Sequence, residues 1–600
     1  RIDPVAPIGC PSAMAPPLTF TFSGSRPRSR MNLAATTEKA SLTSNRSISS
    51  VVRPAFCSTF FAAGTGAFSI KVGRNAAKAP TRSYHKANWT VFQQHCGVVK
   101  AVERCGDCSE VDLQEETDAM YNTLNAALDL VCPKRDVKVR DSFIWWNGNL
   151  TNLRKKKQAL ESRLHNKNAK NKDFIAFKKV NNQYKRAIER AKKDSWREFV
   201  AETDSMPAMS KLYKILRQKP ISSAGLLRRS NGEMTKTSDE TLATLLESHF
   251  PDSSTAPPVA DVSAVKKRID LDSDSLNWIN RERFKKAVQA FGPHKSPGRD
   301  DVKPIVLQNL PDTFIDSLLD IYKVSITLGY TPTQWRESKV VFIPKPGKKD
   351  RTDPRSYRPI SLTSFLFKAL ERLVLYWQEE TTFLQRPIHR TQFGFKRNTG
   401  TEQALSYSIA AIEKAIARGQ FVLALYLDIK GAFDYILADT IISALREHGV
   451  PEMICVWYER YLKNRIAELH LGNDTLIAYL ARGGPQGSIL MPTFGWNVAF
   501  DRLLRRLEEM LMFAAGFADD GVTLTFGTDL KKMRDRAQQT LDICVSWANT
   551  HGLSLCPKKT VAVIFTNKTK FENPAPLKLY GKNIGFAKEV KYVGCIWIAN

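Results

Sequence analysis

Three acidic residues stand where carboxylates can act together on a metal ion. Asp428 ends a run of seven apolar residues that begins at Phe421, a pattern typical of a buried strand. Asp519 and Asp520 lie between two short apolar runs and precede Gly521, which predicts a hairpin with two acids at its tip. Mg²⁺ prefers carboxylate, water and phosphate oxygens, so acids from separate strand ends indicate a site for two such ions. A pair of Mg²⁺ ions can hold the attacking hydroxyl and the leaving oxygen of a phosphoryl transfer.

A glycine-rich loop lies between the two acid-bearing segments. Residues 482–488 read Arg-Gly-Gly-Pro-Gln-Gly-Ser, a tight loop whose backbone can approach a ligand closely, and a helix is predicted to follow. Each feature alone is weak, because a second Asp pair occurs at 300–301 and such loops and strand ends are common. The conjunction of all three in this order favours catalysis.

The elements that must position these residues lie in a mixed region of helices and strands from 275 to 600. Apolar periodicity predicts helices at 280–290, 312–328, 363–379, 401–418, 437–448, 451–463, 490–511 and 530–551. It predicts strands at 339–343, 421–427, 465–470, 476–480, 522–526, 560–565 and 590–597.

The part of the chain before this region is different in composition. Residues 1–80 are rich in Ser, Ala, Pro, Thr and Arg without a sustained period, which predicts disorder. Helical spacing appears at 113–131 and again over 151–200, where Arg154 to Arg197 holds sixteen Lys and Arg against four Asp and Glu. That basic stretch is either a solvated helical face or a surface that follows nucleic-acid phosphates, and the excess of positive charge favours the second. A Pro/Ser-rich linker is predicted at 251–263.

The overall composition points to a polyanionic partner. The formal net charge is +29, and such self-repulsion opposes compaction, so nucleic acid is the first candidate partner and an anionic membrane surface the second. No apolar run approaches the roughly 20 residues that cross a bilayer, and the first residues are not expected to act as a secretory signal. The ten Cys are scattered, and Cys105 and Cys108 form a lone C-x-x-C, so reduced thiols and an intracellular setting are expected.

Taken together, the motifs resemble those of reverse transcriptases. Asp428-x-x-x-Ala432-Phe433-Asp434, Gly484–Ser488 and Phe517–Asp520 are similar to motifs A, B and C, in the pattern of non-LTR (LINE-type, jockey-like) retrotransposons. Further similar segments lie at 295–300, 342–348, 357–362, 392–395, 401–403, 557–560 and 590–594. The resemblance covers roughly 280–600.

The resemblance implies a fold and a domain order. It implies an α+β right-hand polymerase with fingers and an antiparallel palm sheet backed by helices, preceded by a basic helical region and a disordered N-terminus. The expected division is 1–80 disordered, non-homologous or misjoined; 81–250 basic helical linker; 251–263 linker; 264–420 N-terminal extension and fingers; 421–600 palm with motifs A to E. The family's thumb and endonuclease are expected to be missing, which predicts a fragment.

The resemblance also implies roles around the metals. Asp428 and Asp519 would be the principal ligands of two Mg²⁺ ions, for which Mn²⁺ can substitute, with Asp520 the third acid and the Ile429 carbonyl also facing a metal. Phe433 stands where the family has a steric gate that crowds a ribose 2′-hydroxyl, and core packing is the alternative role of this ring.

The remaining site residues are implied in the same way. Gln486 would contact the incoming nucleotide or the template strand. The triphosphate would meet Arg358, with Lys345 or Lys348, since a guanidinium suits bidentate phosphate contact. Lys559 or Lys558 would give a proton to pyrophosphate. Asp434 is expected only to cap the following helix, Phe517 to replace a commoner Tyr without harm, and His389 has no assigned role.

Three functional hypotheses follow. The first is an RNA-directed DNA polymerase that uses an RNA template, a DNA primer and dNTPs, without a membrane, for target-primed reverse transcription in the nucleus after a cytoplasmic ribonucleoprotein stage. The second is a nucleic-acid-binding remnant without catalysis. The third is another right-hand polymerase that makes RNA, against which the aromatic gate and the Phe-Ala-Asp-Asp turn argue. The oligomeric state stays open.

Overall fold

A computed structural model describes residues 82, 84, 87–96, 105–134, 146–164, 171–201, 226–257, 262–348, 350–472 and 474–598. All of them fall within one unit, Arg74–Asn600. The prediction of disorder at 1–80 lies outside the described residues. Each helix within the described ranges is too short or too polar to traverse a lipid bilayer.

The described helices of two turns or more are α1 (Trp89–Cys96), α2 (Glu110–Val131), α3 (Gly148–Leu164), α4 (Asn171–Ala201), α5 (Ser238–His249), α6 (Arg281–Gln289), α7 (Asp312–Leu328), α8 (Phe365–Glu380), α9 (Thr401–Ala417), α10 (Ala438–His448), α11 (Glu452–Lys463), α12 (Val498–Glu509) and α13 (Leu530–Thr550). Short helical turns occupy Pro304–Leu307, Thr333–Arg336, Thr382–Gln385 and Ala432–Tyr435. Further helical turns are Asp274–Leu276 and Pro354–Ser356, both 3₁₀, and the π-helical Met491–Asn497.

The strands are β1 (Cys105–Cys108), β2 (Lys267–Asp270), β3 (Glu337–Pro344), β4 (Tyr357–Leu362), β5 (Phe421–Asp428), β6 (Arg465–Leu471), β7 (Asp474–Leu480), β8 (Phe513–Phe517), β9 (Asp520–Gly527), β10 (Val561–Phe565), β11 (Leu577–Leu579), β12 (Lys582–Ile584), β13 (Glu589–Tyr592) and β14 (Cys595–Ile598).

The first four-stranded sheet is antiparallel and has β5 near its centre. Its order is β10-β5-β9-β8. Alternate side chains of β5 enter two hydrophobic clusters, with Leu423 and Leu425 in the larger one and Val422 and Ala424 in the smaller. A strand buried on both faces needs the continuous apolar run that the sequence shows. Burial ends at Asp428, so its carboxylate emerges where the strand leaves the core.

The second four-stranded sheet has the order β4-β3-β6-β7, with β3 and β6 parallel and the other pairs antiparallel. Strand β4 is not among the predicted strands, because Pro359 interrupts its pattern. Proline is tolerated there because β4 is an edge strand. Pro359 lies opposite Phe342 of β3, and no strand that the structure describes on the other side of β4 needs its missing N–H. The mixture of helices with largely antiparallel sheets agrees with the predicted α+β class.

Helices α1, α2 and α5, which precede residue 264, contribute to the hydrophobic clusters of the rest. Helix α2 packs on α7, β1 pairs with β2, and α5 packs on β6 and β7. Within the predicted linker, Ser254 exchanges backbone hydrogen bonds of 3.1 and 2.8 Å with Tyr479. The basic stretch forms two helices, α3 and α4, that pack on each other.

Two predicted elements differ in their details. The helix predicted at 490–511 begins as the π-helical turn Met491–Asn497 and continues as α12 to Glu509. π-helical turns are rare and often occur at functional sites. Apolar spacing in a sequence does not distinguish such a turn from the α-helix that it continues. The strand predicted at 590–597 is a hairpin, because Val593 and Gly594 take positive φ angles of 47° and 84° and reverse the chain.

Candidate active site

The three predicted acids meet at one edge of the first sheet, and we call them the acid corner. Asp428 lies directly opposite Asp520 in the β5–β9 ladder, which places their Cα atoms about 4.5–5.5 Å apart. Asp519 lies in the two-residue turn between β8 and β9. The Asp428 side chain is 30% exposed, and Asp519 and Asp520 are exposed. Asp428 and Asp519 line an open cleft, and Asp520 lies next to them in the chain and in the sheet. The fold thus gathers carboxylates that are about ninety residues apart in sequence.

The turn that carries Asp519 is held from outside the hairpin. Ala518 has a left-handed φ of 57°, a conformation that costs a non-glycine residue about 1 kcal/mol. The indole N–H of Trp496 donates to the Ala518 carbonyl at 2.8 Å. Gly394 lies so close that a Cβ built on it would be 2.1 Å from the Ala518 nitrogen. Glycine at 394 therefore permits the approach that fixes the acid-bearing turn.

The charges of the acid corner oppose one another. Desolvation in the cleft, followed by repulsion from Asp519 and Asp428, raises the pKa of Asp520 to about 6. Desolvation also raises the pKa of Asp519; Asp428 adds to the increase, while Arg358 and Lys559 reduce it. Acids that face mainly each other favour a bound cation, which removes the repulsion.

A side-chain cation already approaches Asp428. The Lys559 ammonium lies 3.1 Å from both oxygens of the Asp428 carboxylate, and the lysine side chain is 61% exposed. Lys559 therefore stands in for the positive charge that the acid corner accepts.

The donor set suits magnesium. In the described part of the chain no group of three or more His, Cys, Asp or Glu side chains has the spacing of a complete metal site. Mg²⁺ is usually held by one or two carboxylates, with water and substrate phosphates completing its shell, so Asp428 with an acid of the turn fits it. Ile429 forms an isolated β-bridge with Leu555. The hydrogen bonds of this bridge run from Cys556 N–H to Asp428 O and from Lys430 N–H to Ser554 O, so they do not use the Ile429 carbonyl. Ile429 also lines the cleft.

The glycine-rich loop lies directly on the short helical turn after β5. Gly483 N–H donates to Ile436 O at 2.8 Å, and Gly484 N–H donates to Phe433 O at 2.7 Å. Gly483 has a φ of 80°, and a Cβ there would be 2.4 Å from the Asp434 carbonyl. A side chain at 483 would lift the loop from the segment that carries Phe433.

The loop is also held at its far end by a buried acid. Ser488 Oγ donates to the Glu371 carboxylate, and the Ile489 N–H donates to the same group at 3.1 Å. Glu371 is fully buried on α8, and burial raises its pKa. The sequence analysis did not identify Glu371, because a single acid in an amphipathic helix carries no distinguishing signal.

Gln486 is joined to Asp434. Its Nε2 donates to Asp434 Oδ1 at 2.6 Å. An ionised carboxylate only accepts hydrogen bonds, so the amide must turn its NH₂ toward Asp434, which leaves Oε1 for other partners. The expectation that Asp434 only caps a helix was incomplete, because Asp434 lies inside Ala432–Tyr435 and its carboxylate holds Gln486.

Phe433 and the basic residues form the walls of the cleft, whose volume is about 520 Å³. The Phe433 ring is half-buried, with centroids 5.7 Å from Phe395 and 5.8 Å from Trp496. It both packs and lines the cleft, so the gate assignment stays a prediction.

Some of the predicted cations enter the cleft and some do not. Lys345, Arg358 and Lys559 line it, whereas the exposed Lys348 and Lys558 are not among the lining residues. Burial, followed by repulsion from Arg358 and Lys559, lowers the pKa of Lys345. This grouping of positive charge beside an acid corner suits a polyphosphate ligand.

Two histidines lie at positions that are not predicted from the sequence. His249, at the end of α5, lines the cleft. His389 lies outside it, with Nδ1 2.9 Å from Thr391 Oγ1 and Nε2 2.9 Å from Glu508. Neither position has a local sequence signal, because both depend on long-range packing.

An antiparallel sheet that presents facing acids beneath a glycine-rich loop and a basic strand pair is the arrangement of a polymerase palm with its fingers. Residues 343–597 match the family model described as reverse transcriptase (RNA-dependent DNA polymerase). The chain therefore contains a reverse transcriptase domain, an enzyme domain of the type carried by non-LTR retrotransposons, and the resemblance predicted from the motifs is confirmed.

The curated relatives extend beyond this domain. The chain is 26% identical over 537 residues to a 115 kDa protein of the type-1 retrotransposable element R1DM of Drosophila melanogaster, covering 86% of this chain and 49% of that protein. It is 23% identical over 535 residues to a Pol polyprotein of element R1 of Bradysia coprophila, covering 87% and 52%. It is 27% identical over 325 residues to the RNA-directed DNA polymerase of the mobile element jockey of Drosophila melanogaster, covering 53% and 35%. The chain spans about half the length of the first two.

Proposed function

We propose that this chain synthesises DNA on an RNA template by two-metal nucleotidyl transfer. The observation that carries the proposal is the acid corner itself, with Asp428 opposite Asp520 and Asp519 in the adjoining turn. Asp428 and Asp519 line a cleft that basic side chains also line. The reverse transcriptase match and the retrotransposon relatives support the reaction class.

The residues divide the work by their positions. Asp428 and Asp519, aided by Asp520, would hold two Mg²⁺ ions, which activate the primer hydroxyl and stabilise the leaving pyrophosphate when bound. Lys345 and Arg358 bind and orient the triphosphate. The Nζ of Lys559 lies 3.1 Å from Asp428 Oδ1. From this position its ammonium group can give a proton to the leaving oxygen.

The choice of sugar is assigned to Phe433. Its ring lies between Phe395 and Trp496 and borders the cleft, where it would crowd a ribose 2′-hydroxyl. Phe433→Ala and Phe433→Val should raise the use of rNTPs relative to dNTPs. Phe571→Ala, which removes an aromatic ring packed on Phe421 outside the cleft, should leave that ratio unchanged. An unchanged ratio in both Phe433 variants contradicts the gate and favours the packing role.

The direct experiment is primer extension by the 600-residue chain. The purified protein should extend a DNA primer on an RNA template with dNTPs and Mg²⁺, and Asp519→Ala should abolish extension. Asp474→Ala is a matched control, because Asp474 is an exposed acid at the tip of the β6–β7 hairpin. Full activity in the Asp519 variant would contradict the assignment of Asp519 to the catalytic site.

A second candidate function is nucleic-acid binding without catalysis. The packed helices α3 and α4 favour it, since they carry the basic stretch and expose Phe174 and Ile175. This function predicts salt-sensitive RNA binding through the two helices and no dNTP incorporation. Detectable templated synthesis excludes it as the whole function.

The cellular setting belongs to the same proposal. We place synthesis in target-primed reverse transcription at nuclear DNA, after a cytoplasmic ribonucleoprotein stage. Support comes from the retrotransposable elements named for the relatives. Crosslinking of the chain to nicked genomic DNA in nuclei tests this setting, and exclusive recovery in the cytoplasm contradicts it.

A further inference from the structure

The end of helix α5 reaches the active-site cleft from outside the reverse transcriptase match, which begins at residue 343. The hydroxyl of Tyr435 donates to the Ser248 carbonyl at 2.9 Å. Arg482, which begins the glycine-rich loop, forms an ion pair with Asp252. These contacts attach residues 248–252 both to the turn after β5 and to the loop that carries Gln486.

Between these contacts, His249 has one hydrogen-bond acceptor and lies within ion-pair distance of one carboxylate. Its Nε2 lies 3.0 Å from the Pro354 carbonyl oxygen, and its Nδ1 lies 3.8 Å from Asp434 Oδ2. A carbonyl can only accept, so Nε2 carries a proton and donates it. The other nitrogen then faces the carboxylate and pairs with it when the imidazole is protonated. The ring cannot rotate without losing the bond to Pro354.

The partner of His249 is a carboxylate with few other contacts. The Asp434 side chain is 11% exposed and that of His249 is 6% exposed. Among the described residues, His249 is the ionisable side chain within ion-pair distance of Asp434, and Gln486 donates to its other oxygen. Burying a carboxylate is costly without such partners, so His249 and Gln486 together keep Asp434 in place.

We propose that His249 is a positioning residue for the nucleotide site, acting through Asp434 to fix the amide orientation of Gln486. The inference rests on the proposed function, in which Gln486 contacts the incoming nucleotide or the template. Asp434 Oδ1 sets which end of the amide faces the cleft, and His249 sets where Asp434 Oδ2 lies. A segment outside the matched domain thus contributes to substrate selection.

A purely structural role for His249 predicts something different. Its ring also packs near Phe342, with centroids 5.8 Å apart, so its loss lowers stability in either case. A positioning role additionally raises the KM for dNTP while kcat changes little. KM and kcat measured separately at a temperature where all variants are folded therefore distinguish the two roles.

Three substitutions separate the two contacts of the ring. His249→Ala removes both and should raise the dNTP KM about tenfold, the effect of losing one oriented hydrogen bond. In His249→Asn the amide nitrogen is as many bonds from Cα as Nδ1, so it faces Asp434 with a donor group and should restore most of the KM. In His249→Gln the nitrogen corresponds to Nε2, which keeps the bond to Pro354 and should restore less.

A double substitution tests whether His249 acts through Gln486. If it does, the KM of His249→Ala/Gln486→Ala should equal that of Gln486→Ala alone, because the two changes are not independent. His448→Ala is a matched control. His448 is buried, with Nε2 2.6 Å from the Arg386 carbonyl and Nδ1 3.9 Å from Asp501, but it does not line the cleft. This control should lower the melting temperature without changing the dNTP KM.

A binding measurement separates this inference from the proposed function. A primer that ends in a dideoxynucleotide allows dNTP affinity to be measured on the RNA template without chemistry. Weaker dNTP binding in His249→Ala, with recovery in His249→Asn, supports the inference. Binding without extension by the unsubstituted chain contradicts the proposed function alone. Unchanged dNTP affinity and KM in His249→Ala, or additive effects in the double variant, overturn the positioning role, and a chain that neither binds dNTP nor extends overturns both.

Discussion

The three aspartates of the acid corner and the single aspartate Asp501 of α12 have opposite environments. The acid corner gathers Asp428, Asp519 and Asp520 at the end of the first sheet, where they lie close to one another and to Lys559. Asp501 lies on α12 with a side chain that is only 2% exposed. One group has carboxylate oxygens turned toward solvent, and the other is enclosed by protein.

The partners of Asp501 satisfy its charge. The backbone N–H of His389 donates to Asp501 Oδ1 at 2.6 Å, and the Arg505 side chain donates to Asp501 Oδ2. His448 Nδ1 lies 3.9 Å from the same oxygen. A carboxylate that protein donors have saturated joins elements of the fold, whereas carboxylates that repel one another are ready for a cation. The comparison shows that the partners of an aspartate, together with its burial, indicate its role.

Displacing the acid corner without changing an acid should have the largest effect. Gly394→Ala places a Cβ 2.1 Å from the Ala518 nitrogen, so the turn that carries Asp519 must move. Extension activity should fall at least about 100-fold, the effect of roughly 1 Å of misplacement in a catalytic group. Steady-state primer extension measures it.

Gly585→Ala is the control for this substitution, because a Cβ at 585 meets nothing within 4 Å and the residue has no positive φ. It should extend primers like the unsubstituted chain. Equal activity of the two glycine variants would show that the position of the turn does not determine the activity.

Breaking the Asp501 contacts should have the next largest effect, on stability instead of chemistry. Asp501→Asn removes the buried negative charge that pairs with Arg505. The substitution should lower the free energy of unfolding by about 3 kcal/mol. Chemical denaturation measures this loss. Activity per folded molecule should stay close to that of the unsubstituted chain, and its disappearance in a fully folded variant would contradict the structural role.

Relieving the repulsion in the acid corner should have the smallest effect, and in the opposite direction. The pKa of Asp520 is about 6 in the folded chain, above the ordinary carboxyl value, so the folded state binds this proton more tightly than the unfolded state. The free energy of unfolding of the metal-free chain therefore falls as pH rises through the interval between the two pKa values.

Asp520→Asn removes this penalty. It should stabilise the metal-free chain at pH 7 by less than about 1 kcal/mol, because the carboxylate is solvent-accessible and screened, and should have no effect near pH 4. Thermal melting in a chelator at the two pH values measures it. A lower melting temperature at pH 7 would show that Asp520 is stabilised by contacts and is not strained.

The sequence predicted the acid corner because its elements are local. The apolar run of β5, the hairpin signal at Gly521 and the amphipathic helices follow from short-range patterns. The edge strand β4 was missed because Pro359 breaks its pattern, and the π-helical turn at Met491 was missed because its period departs only slightly from that of an α-helix.

The support of the site could not be predicted in the same way. Gly394 and Ala518 lie far apart in sequence, as do His249 and Asp434, and nothing local marks either pair. Contacts of this kind depend on how whole elements pack, so the acids were identified and the residues that hold them were not.

The central claim is that the acid corner, and not the Asp501 group, binds the divalent cations. Fe²⁺ bound in place of Mg²⁺ reduces added hydrogen peroxide to hydroxyl radicals that cut the nearby backbone, with ascorbate returning the iron to Fe²⁺. The cut positions can be read by mass spectrometry. We expect cuts at the ends of β5 and β8, suppressed by Mg²⁺ and lost in Asp428→Asn/Asp519→Asn. Cuts centred on Asp501, or cuts that Mg²⁺ does not suppress, would contradict the account.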